Sequence, residues 1–248
     1  TEAPTLTGTV WVADEYSDSI TVIDAATNEV VTTLTGIEGP HNLQVSPDGK
    51  SVWAVSGHDS LAVMVDAQGL GLHGTVPTGK EPAHVVVTPD GRTAYTTNGA
   101  DDTVSAIDIA TMKAVATIRV GAFPHGLRPS PDGKWVYVAN AKGTSLSVID
   151  TATRTKVGDV EVGQSPVQVG FSPDGRFVYS AVNGETANWH QTGYVLAPHR
   201  ALEVKGWRKS LQRVAAFFFT EHQNSYAART GRPENVGVVG VALFRKKA

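Results

Sequence analysis

The sequence predicts an all-β chain built from repeated four-stranded units, and three observations predict it. The first is a period of 42 residues: the turn Pro-Asp-Gly recurs at Pro47, Pro89, Pro131 and Pro173. The second is that other columns keep the same period without slippage. A proline stands seven residues earlier at Pro40, Pro82, Pro124 and Pro166, an aromatic recurs at Trp11, Trp53, Tyr95, Tyr137 and Tyr179, and an aspartate at Asp24, Asp66, Asp108 and Asp150. The third is that short alternating apolar runs, bounded by turn residues, fill the space between these columns.

The unit from Pro124 shows the elements in order. Residues 125–130 form a first strand, stopped by Pro131-Asp132-Gly133. Proline presets φ there, aspartate bonds back to the backbone and glycine takes the positive φ. Residues 135–139 form a second strand, Asn140 to Thr144 a polar turn, 145–150 a third strand and 155–162 a fourth. Asp150 opens the turn between the last two as an Asx-type cap. Four antiparallel strands in one such period make a β-propeller blade, which needs neighbours on both faces. The aromatic column is expected to pack between blades.

Three units are whole, roughly 41–78, 83–120 and 125–162. Residues 10–34 supply the last three strands of a blade and 167–182 the first two of another. The period then calls for an Asp at 192, a Pro at 208 and Pro-Asp-Gly at 215–217. The chain has Thr192, Arg208 and Ala215-Ala216-Phe217 instead. The expected architecture is therefore a propeller of about four to five blades with an incomplete ring, over residues 1–185, plus a non-repeat C-terminal tail, 186–248. Its exposed strand edges would be covered by the tail, paired with a second chain as a dimer, or left open.

Charge breaks at the same point. Residues 1–185 carry 11 Lys+Arg against 21 Asp+Glu, and residues 186–248 carry 10 against 3 with no Asp. Within the tail, Trp207, Leu211, Val214 and Phe218 lie on one helical stripe and Lys205, Lys209 and Arg213 on another, so 200–220 reads as a basic amphipathic helix. Residues 236–244 read as a strand. A cap on the open edge, a membrane-surface anchor and an out-of-frame or fused segment are the readings open for this tail.

The 248 residues contain no Cys, which excludes disulfides, thiolate metal sites, thiol catalysis and covalent c-type haem. No apolar run reaches the length of a membrane span and no signal-peptide pattern stands at Thr1. The motifs Gly-x-Ser-x-Gly and His-Glu-x-x-His are missing, as are Walker and EF-hand loops. Gly69-Leu70-Gly71 lies in a turn and is no dinucleotide fingerprint. The acidic repeat region argues against a sequence-specific nucleic-acid groove.

Tyr137-Val138-Ala139-Asn140 with Val148-Ile149-Asp150-Thr151-Ala152-Thr153, and Trp11-Val12-Ala13-Asp14 with Val22-Ile23-Asp24-Ala25-Ala26-Thr27, resemble the YVTN-family β-propeller repeat. The resemblance covers about residues 8–184. It implies a ring of about seven blades, usually exported, hence a periplasmic or extracellular setting such as surface-layer-like proteins. The repeats also resemble those of lactonase-type and cytochrome d1-type haem propellers.

Candidate functional residues gather where the fourth strand leads into the next first strand. These loops read Gly39-Pro40-His41-Asn42, Pro82-Ala83-His84, Pro124-His125-Gly126 and Pro166-Val167-Gln168. First strands line the channel of a propeller, so His41, Asn42, His84, His125 and Gln168 ring one mouth of it, with Arg128 farther along the third of these strands. Three imidazoles suit Zn, Cu or Fe, or would ligate or flank a haem. The bland reading is Pro-His as loop filler, its imidazole bonded to neighbouring backbone. His41 and His125 follow their proline by one residue and His84 by two; strand alternation then sets them on different faces and argues against a simple three-ligand ring. Arg128 is expected either to bind an anion or to pair with a neighbouring Asp. His58, His73, His190, His199 and His222 show no partner spacing and read as solvated. The expected function is a non-enzymatic binding or scaffold module taking a small ligand or protein partner at the channel mouth. A metal- or haem-associated periplasmic propeller and a lactonase-like hydrolase are the alternatives.

Overall fold

The structure is a computed structural model that describes residues 7–172 and 175–182. Five consecutive antiparallel sheets follow the repeat. Blade 1 contains β1 (Thr9–Asp14), β2 (Ser19–Asp24) and β3 (Val30–Thr35). Blade 2 contains β4 (Leu43–Val45), β5 (Ser51–Ser56), β6 (Leu61–Asp66) and β7 (Leu72–Pro77). Blade 3 contains β8 (Pro82–Val87), β9 (Thr93–Asn98), β10 (Thr103–Asp108) and β11 (Lys113–Arg119). Blade 4 contains β12 (Pro124–Pro129), β13 (Trp135–Asn140), β14 (Ser145–Asp150) and β15 (Thr155–Glu161). Blade 5 contributes β16 (Pro166–Phe171) and β17 (Val178–Val182). The expected strand bounds hold to within a residue or so, and the described sheets do not close a ring. The helix and strand expected in the tail, and His190, His199 and His222, lie outside the described residues.

Burial explains the order of strands across each blade. Middle strands such as β5 and β6 are covered on both faces and are nearly continuous in apolar residues, whereas β11 and β15 are largely exposed. Each blade face is buried against the next blade, and each of the four interfaces has its own apolar cluster. Ile20 packs with Ala54, Val63 and Val65; Trp53 and Val76 with Val85 and Ile107; Tyr95 and Val104 with Leu127 and Ile149; Ala139 and Leu146 with Val169. The aromatic column sits in these interfaces: Trp53 and Tyr95 have no exposed surface, and Tyr137 meets Phe171 edge-on at 5.6 Å between ring centroids.

The repeated polar residues are mostly structural. In the Pro-Asp-Gly turns, Asp48, Asp90 and Asp132 each accept the amide of the residue two positions later, and Gly49, Gly91 and Gly133 have φ of 71°, 71° and 72°. Asp24 and Asp150 cap the next turn, accepting amides at Ala26, Thr27, Ala152 and Thr153 over 2.8–2.9 Å. These bonds hold the Asp24 carboxyl below the usual carboxylate range. The Asn of the repeat motif is a buried tie: Asn140 Nδ2 donates to Ser145 Oγ and Ser147 Oγ at 3.1 Å, and its Oδ1 accepts from Gly121 N. Gly121 is glycine because a Cβ there would run into the Asn140 amide.

Candidate ligand site at the channel mouth

The first strands β4, β8, β12 and β16 lie side by side in blade order, so the loops that open them share one rim. His41 stands in the loop before β4, His84 on β8 and His125 on β12. Ring centroids are 5.4 Å apart for His41–His84, 5.3 Å for His41–His125 and 4.6 Å for His84–His125. One nitrogen from each lies within 4.8 Å of the other two.

This convergence corrects the expectation of different faces. Pairing of β12 with β13 shifts register between Pro124 and Leu127, and pairing of β8 with β9 shifts between Pro82 and Val85. The histidines lie inside these irregular stretches, where strict alternation does not hold. The loops also follow a two-blade rhythm. One residue after the proline stand His41, Ala83, His125 and Val167; two residues after stand Asn42, His84, Gly126 and Gln168. Gly126 leaves space for its neighbour, since a Cβ there would lie 2.5 Å from Gln168 Oε1 and from Val167 O.

Each imidazole has a different setting. His41 is partly exposed, and its Nδ1 lies 3.1 Å from Glu15 Oε2, a carboxylate in the 3-10 turn after β1. His125 Nδ1 donates to Val167 O over 3.1 Å, which leaves Nε2 unprotonated. His84 is 8% exposed, its backbone N donates to Thr97 Oγ1, and Thr97 Oγ1 in turn donates to the His125 carbonyl at 2.7 Å. That hydroxyl couples the two strands. Burial, followed by the neighbouring charges of His125, His41 and Arg128, pulls the His84 pKa down to about 3. Burial also lowers that of His125. Both rings are therefore neutral nitrogen donors at neutral pH.

The other candidates divide. Gln168 Nε2 reaches 3.5 Å from His84 Nε2 and belongs to the rim. Asn42 does not join the triad; its Oδ1 accepts the amide of Val85 and ties blade 2 to blade 3. Among the described residues Arg128 pairs with no Asp: its Nη1 donates to Gln44 Oε1 at 3.0 Å, across the channel side from blade 4 to blade 2. His58 is not solitary, since its Nδ1 lies 4.0 Å from Asp18 Oδ1 and groups with Glu38. Sequence reasoning missed Glu15, Gln44 and Thr97. Gln44 was within reach of it, being the residue that stands at Arg128's position two repeats earlier.

With this geometry in place, comparison with known proteins fixes the kinship. The family model for lactonase, seven-bladed β-propeller, matches residues 15–189. The chain belongs to that family. Among solved structures, this lactonase-family propeller is similar to hydrazine synthase of Kuenenia stuttgartiensis, with 31% identity, a TM-score of 0.59, and coverage of 62% of this chain and 44% of that one. It is also similar to a functionally unknown protein from Desulfotomaculum acetoxidans, with 20% identity, a TM-score of 0.65, and coverage of 71% and 60%. The latter likeness is one of fold alone. The chain thus spans about half the length of these two structures. No curated protein matches it significantly.

Proposed function

We propose that this propeller is a metal-binding protein that takes a first-row transition-metal ion, Zn²⁺ or Cu²⁺ foremost, at the channel mouth through His41, His84 and His125. The observation that carries the reading is the approach of three imidazole nitrogens, one from each of three consecutive blades, to within 4.8 Å of one another. Tetrahedral coordination at about 2.0–2.1 Å puts ligand nitrogens roughly 3.3 Å apart, so the rings need only small rotations to close on an ion. The surroundings suit the role. Glu15 on His41 and the Val167 carbonyl on His125 are the partners that orient metal-bound histidines. Three mutually packed rings converge on a point, which favours an ion over a haem plane. The resemblance to exported repeat proteins supports a periplasmic or extracellular setting.

Equilibrium dialysis against Zn²⁺ or Cu²⁺ with elemental analysis tests the reading. One ion per chain is expected, lost in His84→Ala and His125→Ala variants that keep the wild-type circular dichroism. Wild-type uptake no greater than that of the two variants would overturn it.

The family match favours a second reading, a lactone hydrolase at the same mouth. Three histidines with an open side are the donor set of hydrolytic zinc sites, where the metal lowers the pKa of a bound water. Lactone hydrolysis that falls on chelation and in His125→Ala would support this reading. Hydrolysis unaffected by both would sink it.

A further inference from the structure

The Gln44–Arg128 pair has no part in holding the three histidines. Gln44 lies three residues after His41, and Arg128 three residues after His125, on the first strands of the same two blades. Their 3.0 Å hydrogen bond therefore spans the channel side just beyond the imidazoles. Along the repeat this column reads Gln44, Val86, Arg128 and Gly170, so Arg128 is its one charged member. Among the described residues no carboxylate stands within ion-pair distance of the guanidinium, which is exposed. Among the described residues only Nη1 meets an acceptor, Gln44 Oε1, and the other N–H groups of the fork meet none. Beside it on blade 5, Gly170 faces open space: an added Cβ would meet nothing within 4 Å among the described residues.

A fixed positive charge next to a cation site is unfavourable by itself. A divalent ion on the three imidazoles together with Arg128 would leave the mouth strongly positive, with Glu15 the one carboxylate that contacts the triad among the described residues. An anion held between ion and guanidinium removes that conflict, and an Arg fork matches a carboxylate with two parallel hydrogen bonds. Three residues of strand cover roughly 10 Å, which limits the bridging molecule to a few atoms.

We propose that the channel mouth takes a small carboxylate of two to four carbons, its carboxylate on Arg128 and a second oxygen on the metal ion held by His41, His84 and His125. This inference rests on the metal reading given above. The carboxylate and the ion bind with positive linkage, each raising the affinity of the site for the other.

The test measures Zn²⁺ affinity by calorimetry in buffer alone, with lactate and with phosphate, after correction for binding of each anion to free Zn²⁺. Wild-type and Arg128→Gln proteins are compared, because glutamine already occupies this column at Gln44. Lactate is expected to tighten Zn²⁺ binding about tenfold in the wild type. Arg128→Gln should bind Zn²⁺ more tightly than wild type without lactate and gain nothing from it. The visible spectrum of the Co²⁺-loaded wild type should shift on lactate addition, and that of the variant should not. Zn²⁺ binding that is indifferent to lactate overturns the inference and leaves the metal reading standing. Enhancement by phosphate but not lactate overturns the carboxylate assignment. Absence of Zn²⁺ binding in every buffer overturns both.

Discussion

The imidazoles of His84 and His125 face one another at 4.6 Å between centroids, although one stands two residues after its proline and the other one. The contact buries His84 against a second imidazole with the Arg128 charge nearby. Protonating it is correspondingly costly, and stability should depend on pH. The folded pKa of about 3 lies below the ordinary 6.5, so as pH falls the unfolded chain takes up the proton first. The contribution is complete above about pH 6.5 and is lost progressively as pH falls toward 3, by up to about 1.4 kcal/mol per unit. His125 adds to it in the same direction. Urea titrations between pH 7 and 4 should show the decline, and His84→Gln should flatten it.

Glu15 meets the site at His41, and its charge also reaches His125. The Glu15 and His41 side chains are both partly exposed, so Glu15→Gln should leave the urea midpoint nearly unchanged. Loss of the carboxylate on Nδ1 should nevertheless weaken Zn²⁺ binding about tenfold, the lower end of the effect of such outer partners. Calorimetry on the folded variant checks both statements together.

Gly126 is fixed by its neighbours and not by its φ. In Gly126→Ala the new Cβ meets the Val167 carbonyl, a backbone atom that cannot rotate aside. We expect a loss of about 1–3 kcal/mol in urea unfolding, the usual cost of overpacking, together with weaker Zn²⁺ binding as β16 is pushed away from His84. A variant with wild-type stability and affinity would show that blade 5 does not press on blade 4 here.

Two residues of the repeat should separate burial from capping. Asn140→Ala removes a fully buried amide with its bonds to Gly121 N, Ser145 Oγ and Ser147 Oγ, leaving Ser147 Oγ with Gly121 N and Asp159 as partners, and should cost about 2–3 kcal/mol. Asp150→Ala removes two amide bonds from an exposed turn and should cost about 1 kcal/mol. Chemical denaturation of the two variants side by side measures the difference.

The repeat was legible in the sequence because each of its columns answers a local demand. Pro131-Asp132-Gly133 needs a preset φ, a short acceptor and a positive φ; Asp150 needs amides two and three residues ahead; Asn140 needs the serines of the next strand. Such demands are met within a few residues and so leave a fixed spacing. The aromatic column was legible for a related reason, since each blade offers the same face to the next. The three histidines could be nominated from their loops, because the innermost strand of every blade borders one channel. Their convergence could not. It depends on register shifts between Pro124 and Leu127 and between Pro82 and Val85, and strict alternation gives the opposite answer. The partners of Glu15, Gln44 and Arg128 were equally hidden, for His41 lies 26 residues from Glu15 and Arg128 lies 84 from Gln44. Local backbone chemistry determined the blade, and only the tertiary structure, through these register shifts and the curvature that brings blade 2 within reach of blade 4, decided which side chains meet at its mouth.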